Sequence, residues 1–280
     1  MNLNKLNVKP SSEKSYGIDN KEFLDKEINR LALQISINSE AENILSDLLK
    51  LEKPLVIMDV GCGIGNITSH LACKFQNTQF IGVEQNEEFI RHAKGNYLQS
   101  NIQYFHVDIF SNEAVDLINN SDVFILRVVA QHIGVNGVES FLKKLKEIKK
   151  TQKFYIIITD TDDRLWVFEP ENIGMRLALQ CTNSAQLKYG GDRRIGCKVQ
   201  SIALAQGYVV KKVITSQFST VSLGFQLFDQ LVEPIFNQKI DQNYLPETGY
   251  SDMNLLIEEW KNNPNRFGLG VTLTTLIESN

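Results

Sequence analysis

The stretch VIMDVGCGIGNI, residues 56–67, places a carboxylate, Asp59, at the end of an apolar run and follows it with glycines at 61, 63 and 65. Glycines so closely spaced let a chain turn sharply and let a ligand come close to backbone N–H groups. The carboxylate beside them selects the charge of what approaches. More groups of this kind stand downstream: Glu84 in FIGVEQN, Asp108 in YFHVDIF, Arg127 and His132 in FILRVVAQHI, and Asp160 and Asp162 in TDTDD. A histidine suits proton transfer near neutral pH. Carboxylates suit cations, hydroxyl pairs and proton acceptance.

The elements that must position these residues follow from hydrophobic patterning. Leu55–Val60, Gln79–Glu84, Ile102–Val107, Val123–Arg127 and Phe154–Thr159 read as short apolar strands. Ile64–Phe75 and Glu87–Leu98 read as helices, a short helical or irregular piece runs to Asn119, and Val138, Phe141, Leu142, Leu145 and Ile148 mark another helix. This alternation predicts a parallel sheet covered on both faces. Ligands of such sheets bind beyond the carboxyl ends of the strands. Asp59, Glu84, Asp108, Arg127 and Asp160 all stand at or just past such an end, so the pattern predicts that they rim one edge.

Upstream, Leu24, Ile28, Leu31 and Ile35 step at helical spacing, and a second helix over 39–51 ends before Pro54. Downstream, the sequence predicts a helix around 171–188, a helix at 194–206, a strand at 208–218, a largely helical stretch at 221–262 and a β-rich close at 267–277. The expected organisation is an N-terminal helical cap (1–52), an α/β core (53–220 and 264–280) and a helical insertion (221–263) placed over the active edge as a substrate lid.

Two ligands habitually need such a glycine turn. A dinucleotide fingerprint wants G-x-G-x-x-G, and the third glycine position here is Asn66. Asp59 would repel a pyrophosphate but welcome a sulfonium and an ammonium, which favours S-adenosylmethionine. Glu84 can accept both ribose hydroxyls or serve the following helix as an N-terminal acid. Asp108 can meet the adenine edge, with Ile109 beside the ring, or act as a cap.

The run from Tyr16 to Tyr208 resembles class I S-adenosylmethionine-dependent methyltransferases, most closely the small-molecule branch containing ubiquinone and menaquinone methyltransferases. VIMDVGCGIGN is similar to the family's glycine motif, FIGVEQNEEFIRHAK to its ribose-binding acid and helix, and NIQYFHVDIF to its adenine-side motif. DVFILRVVAQHI is similar to the fourth-strand motif, and RRIGCKVQSIALAQGY to the helix and turn before the sixth strand. The resemblance implies a Rossmann-like fold with a seven-stranded, mostly parallel sheet. It implies that Asp59, Gly61, Gly63, Glu84 and Asp108 bind the methyl donor, with Gln85, Ile109 and Arg127 beside them. The segment YGIDN…INRLALQ looks like a cap folded over the cofactor, which makes Tyr16, Arg30 and Gln34 candidates for the methionine end. KKTQK stands where the family has a Pro-Gly-Gly turn, and 221–262 matches no known part of it.

Methyl transfer from a sulfonium needs positioning above all, and a base only if the acceptor arrives protonated. His132 is the candidate base, or else a histidine packed near the cofactor. Asp160 and Asp162 are candidates for amine binding or proton acceptance, or else a solvated acidic turn. Arg127 either holds a carboxylate or pairs with a rim acid. The aromatics Phe225, Phe228, Phe236 and Trp260 either wall an acceptor pocket or form core. KKLKEIKK at 143–150 reads as a solvated helix face, and Cys62 as a small buried side chain.

With 280 residues, 42% hydrophobic, and a net charge of −4, the chain has a globular composition and lacks the basic footprint of a nucleic-acid binder. Four cysteines without a C-x-x-C and four histidines without ligand spacing predict neither disulfides nor a metal. No signal-like or membrane-spanning apolar stretch is visible, so the expectation is a cytoplasmic protein, monomer or homodimer. The leading reading is a methyltransferase moving a methyl group to an O or N atom of a small molecule, leaving S-adenosylhomocysteine. A non-catalytic cofactor-binding scaffold or regulatory protein is the alternative. A protein methyltransferase and a nicotinamide-dependent oxidoreductase stand behind it.

Overall fold

The computed structural model describes residues 40–51, 55–237 and 250–279, together with Ile28 and Leu31. Tyr16, Arg30, Gln34 and Phe236 as site candidates lie outside what is described of the chain's side chains.

Four parallel strands and four connecting helices build the first half. Strand β1 (Val56–Val60) leads to α2 (Asn66–Lys74), β2 (Gln79–Glu84) to α3 (Glu87–Asn96), β3 (Ile102–His106) to α4 (Val115–Asn119), and β4 (Val123–Arg127) to α5 (Ala130–Ile148). Helix α1 (Glu40–Leu51) precedes them. After β5 (Tyr155–Thr161) come β6 (Val167–Glu169), α6 (Ile173–Lys188), α7 (Val199–Ala205), β7 (Val209–Ser219), α8 (Thr220–Leu223), α9 (Phe225–Asn237), α10 (Tyr250–Asn262) and β8 (Phe267–Glu278).

The sheet runs β3-β2-β1-β4-β5-β8. Pairings through β5 are parallel, whereas β8 is antiparallel to β5, β6 and β7. The seven strands expected from the sequence are joined by an eighth, the short β6, which extends the line of β5 along the first residues of β8. The strand order reverses between β1 and β4, which is where a ligand crevice belongs.

Alternation along the strands divides the core. Met58, Val60, Phe124 and Leu126 face one side, where Phe141, Leu142 and Leu145 of α5 and Ile202 of α7 cover them. Ile57, Val123 and Ile125 face the other, under Ile44, Leu45 and Leu48 of α1 and Leu71 of α2. Both faces are therefore apolar, and the strands read as continuous hydrophobic runs. A third, aromatic cluster joins Trp166, Phe168, Phe218, Phe228 and Trp260. It packs on β8 so closely that a Cβ on Gly268 would lie 2.6 Å from the Phe228 ring. Phe228 and Trp260 are thus core residues.

The lysine-rich end of α5 is only partly a solvated face. Lys143 and Lys150 are exposed. Lys149 is buried, and its ammonium donates to the Asn119 carbonyl at the end of α4. Lys146 donates to the Gln206 carbonyl at the end of α7. A cation at a helix C-terminus satisfies orphan carbonyls and opposes the helix dipole.

Candidate cofactor cleft

The glycine loop is stapled to the end of β2. The N–H groups of Gly61 and Cys62 both donate to the Val83 carbonyl, at 2.8 and 3.0 Å. Gly65 takes a left-handed conformation, φ 81°, as the cap of α2. A Cβ there would lie 2.8 Å from Ala93 Cβ and from the Tyr104 hydroxyl, which donates to the Gly65 carbonyl. Gly63 differs. It also has positive φ, but among the described residues a Cβ there would meet only Leu31, at 3.7 Å. Its open side faces a cleft whose walls include Leu31, Asp59, Gly63, Asn66 and Arg127. Asn66, at the position a dinucleotide fingerprint gives to glycine, donates its amide to the Leu31 carbonyl at 2.6 Å.

Asp59 is 3% exposed and accepts the Thr68 hydroxyl at 2.6 Å. Burial pushes its carboxyl up to about 6, with Thr68 and Arg127 pulling down and Glu84 pushing further up. Glu84 accepts the Gly63 N–H at 3.2 Å and the Asn86 N–H at 2.9 Å. It does not cap α3: the Asn86 side chain does, accepting from Glu88 and Phe89. Burial holds the Glu84 carboxyl above its ordinary value, against those backbone donors. Gln85 is exposed beside it, and its carbonyl is bonded to His106 Nε2 at 3.0 Å. Asp108 is exposed and accepts the Phe110 N–H at 2.9 Å, an Asx turn, while Ile109 is half-buried against the core. Asp59, Gly61, Gly63 and Arg127 are brought together around one cleft, whereas Asp108 and Ile109 stand at the neighbouring strand end.

The next residues form a second polar centre. Asp160 is fully buried and accepts the N–H groups of Gln131 and Thr161, at 2.9 and 2.8 Å. Burial pushes its carboxyl up to about 7, opposed by these two bonds and by Arg193. Asp162 is clamped by Arg164 through Nε and a terminal nitrogen, at 2.8 and 2.7 Å. Asp163 is clamped in the same way by Arg193, which also donates to Gln131 Oε1. The TDTDD run is therefore not a solvated turn. The spacing of a single sequence held no signal for Arg193 or Gln131, whose partners lie tens of residues away. His132 lies in the first turn of α5, with Nδ1 3.4 Å from the Gln186 amide nitrogen.

A methyltransferase-domain family model matches residues 51–202, more than half of the chain. The chain belongs to the S-adenosylmethionine-dependent methyltransferase family. A ubiquinone biosynthesis O-methyltransferase of Rickettsia conorii is 33% identical over 141 residues, 46% of this chain and 46% of that protein. A tRNA (guanine-N(7)-)-methyltransferase of Mesoplasma florum is 32% identical over 108 residues, 37% of this chain and 46% of that one. The chain spans about half the length of the curated relatives it matches. A presumed methyltransferase from Bacillus halodurans shares the fold at a TM-score of 0.54 and 14% identity, covering 86% of this chain and 99% of its own. The cofactor of the family is S-adenosylmethionine, with S-adenosylhomocysteine as its product. The cleft fits it: an open-faced glycine for close approach, and buried acids whose ionisation a cation would favour. The matched relatives act on different acceptors, so the family does not itself fix the acceptor. No group of described residues has the makings of a metal site, and no helix among them is long and apolar enough to cross a membrane.

Proposed function

We propose that this methyltransferase moves a methyl group to an O or N atom of a small molecule. The observation that carries the reading is Asp59, a buried carboxylate on the wall of a cleft floored by Gly63, in a chain of net charge −4. The bound donor supplies an activated methyl group. Asp59 and Glu84, both made weaker acids than usual by burial, then hold its positive and hydroxyl-bearing parts. Gly63 lets those parts reach the backbone. The helices α9 and α10, inserted between β7 and β8, serve as a lid on the acceptor side; the cap expected over residues 1–52 lies largely outside the described residues. His132 is the base candidate. Asp160, with both oxygens on backbone N–H groups, is a positioning residue that anchors the first turn of α5 rather than a group that reaches the acceptor.

Titration calorimetry with S-adenosylmethionine, S-adenosylhomocysteine and NAD tests the donor site in wild type and Asp59→Asn, which keeps the Thr68 hydrogen bond. Micromolar binding of the sulfur nucleosides, weakened at least tenfold in the variant, is expected. Preference for NAD would overturn the reading. Radiolabelled methyl donor offered to a small-phenol and small-amine panel, to tRNA and to unfolded protein then separates the acceptor classes. Label appearing only in tRNA or protein would overturn the small-molecule assignment.

A further inference from the structure

His132 sits three residues after Val129, one turn along the start of α5, and its N–H donates to the Val129 carbonyl at 2.9 Å. The Val129 side chain lies against the glycine loop, within 2.7 Å of where a Cβ on Gly61 would stand. Val129 is the residue before α5, so the helix's first turn, which carries His132 and ends at the non-helical Gly134, starts beside the glycine loop. The backbone beneath it is fixed on three sides. The Gln131 N–H is held by Asp160, its carbonyl accepts from Asp192 at 2.6 Å, and its side chain accepts from Arg193 at 3.1 Å.

Gln186, on α6, is 5% exposed. Its main-chain carbonyl accepts from Gly191, which keeps α6 beside this turn. Its amide nitrogen faces His132 Nδ1 at 3.4 Å, longer than an ordinary N–H hydrogen bond. Its amide oxygen is buried with no hydrogen-bond partner among the described residues. A buried carbonyl oxygen without a donor costs about 1–3 kcal/mol and asks for a reason. A half-turn of the near-symmetric amide places that oxygen on Nδ1.

We propose that Gln186 is a positioning residue that holds His132 with its proton on Nδ1, leaving Nε2 as the base toward the acceptor. The inference rests on the methyltransferase reading above. In the step this serves, the acceptor's lone pair forms the new bond to the methyl carbon. The carbon–sulfur bond breaks with its electron pair left on sulfur, and the acceptor's proton passes to Nε2. The imidazolium that results carries a proton on both nitrogens, and the Gln186 oxygen already accepts the one on Nδ1. No side chain has to rearrange as the proton moves, which is the logic of any oriented histidine base.

The test is the tautomer itself, read by long-range 1H–15N spectra of the full-length protein labelled at histidine nitrogens, with His132→Asn providing the assignment. In wild type, Nε2 is expected at the shift of an unprotonated nitrogen and Nδ1 at that of a protonated one. Gln186→Leu should move the majority to the Nε2–H form that free imidazole prefers, and Gln186→Glu should restore Nδ1–H. A wild-type protein found in the Nε2–H form overturns the proposal, as does a folded Leu variant with an unchanged pattern. The wild-type spectrum suffices if the Leu variant does not fold. S-adenosylhomocysteine titration in parallel separates the two readings. Absence of binding counts against methyl transfer and leaves the tautomer result to stand by itself.

Discussion

Two glycines of the same loop do different work, and substitution separates them. Gly65 and Gly63 both have positive φ, at 81° and 56°. Alanine in that region costs about 1–2 kcal/mol by itself. At Gly65 the new methyl would also press into Ala93 and Tyr104 at 2.8 Å, and overpacking of that kind adds about 1–3 kcal/mol. Gly65→Ala should therefore lower the urea midpoint by the equivalent of roughly 2–5 kcal/mol. Gly63→Ala should cost only about the strain, since among the described residues nothing but Leu31 lies near. It should nevertheless weaken S-adenosylhomocysteine binding at least tenfold, because the methyl stands where the donor comes close. Equal losses of stability in the two variants would show that the open face of Gly63 has no ligand to receive.

At the scale of elements, the turn from β4 into α5 carries visible strain. Val128 has φ 58°, an uncommon place for a β-branched residue, and such conformations persist only where the surroundings impose them. Here the Val128 N–H is tied to Thr159 on β5, and the next residue packs on the glycine loop. Asparagine tolerates this region far better than valine. Val128→Asn should raise unfolding free energy by about 1 kcal/mol in urea, despite the smaller apolar surface. A loss of stability would mean that packing, not strain, decides this position. The neighbouring elements show what a single sequence can disclose. The strands were legible because Val123–Leu126 and Ile156–Ile158 are apolar on both faces, and their polar end residues mark the ligand edge. The glycine loop was legible because its residue types are demanding. The burial of Asp160 and Asp163 was not, because it depends on Gln131 and Arg193 arriving by tertiary folding, whereas Asp162 pairs with Arg164 only two residues on. Lys146 and Lys149 looked solvated for the same reason: their partners are carbonyls of other helices.

The whole molecule concentrates its electrostatic tension on one edge. The first residues of β8 run past the end of β5, where β6 and β7 pair with them, and so carry the aromatic cluster to the side where the strands' carboxyl ends lie. Asp59 and Asp160 on that edge are pushed from 3.8 up to about 6 and about 7 by burial. Between about pH 4 and those values the folded chain keeps protons that the unfolded chain has released, so stability falls as pH rises. Glu42, Asp162 and Glu278 are lowered instead, Glu42 and Asp162 by hydrogen bonds that outweigh their burial and Glu278 chiefly by its bond to Lys153. Their contribution is lost as pH falls through the acidic range. The two trends together predict that the urea midpoint of the ligand-free protein peaks at about pH 5 and declines toward pH 8. A bound cation changes this balance, since it favours the ionised form of Asp59. At a donor concentration of 100 Kd, binding adds about 2.7 kcal/mol, and this addition should grow as Asp59 ionises. Saturating S-adenosylmethionine should therefore flatten the decline between pH 5 and pH 8, and Asp59→Asn should flatten it without ligand. A midpoint that climbs steadily from pH 5 to pH 8 in the ligand-free wild type would show that these two carboxyls ionise at no cost in the fold. The cleft would then have no unmet demand for positive charge.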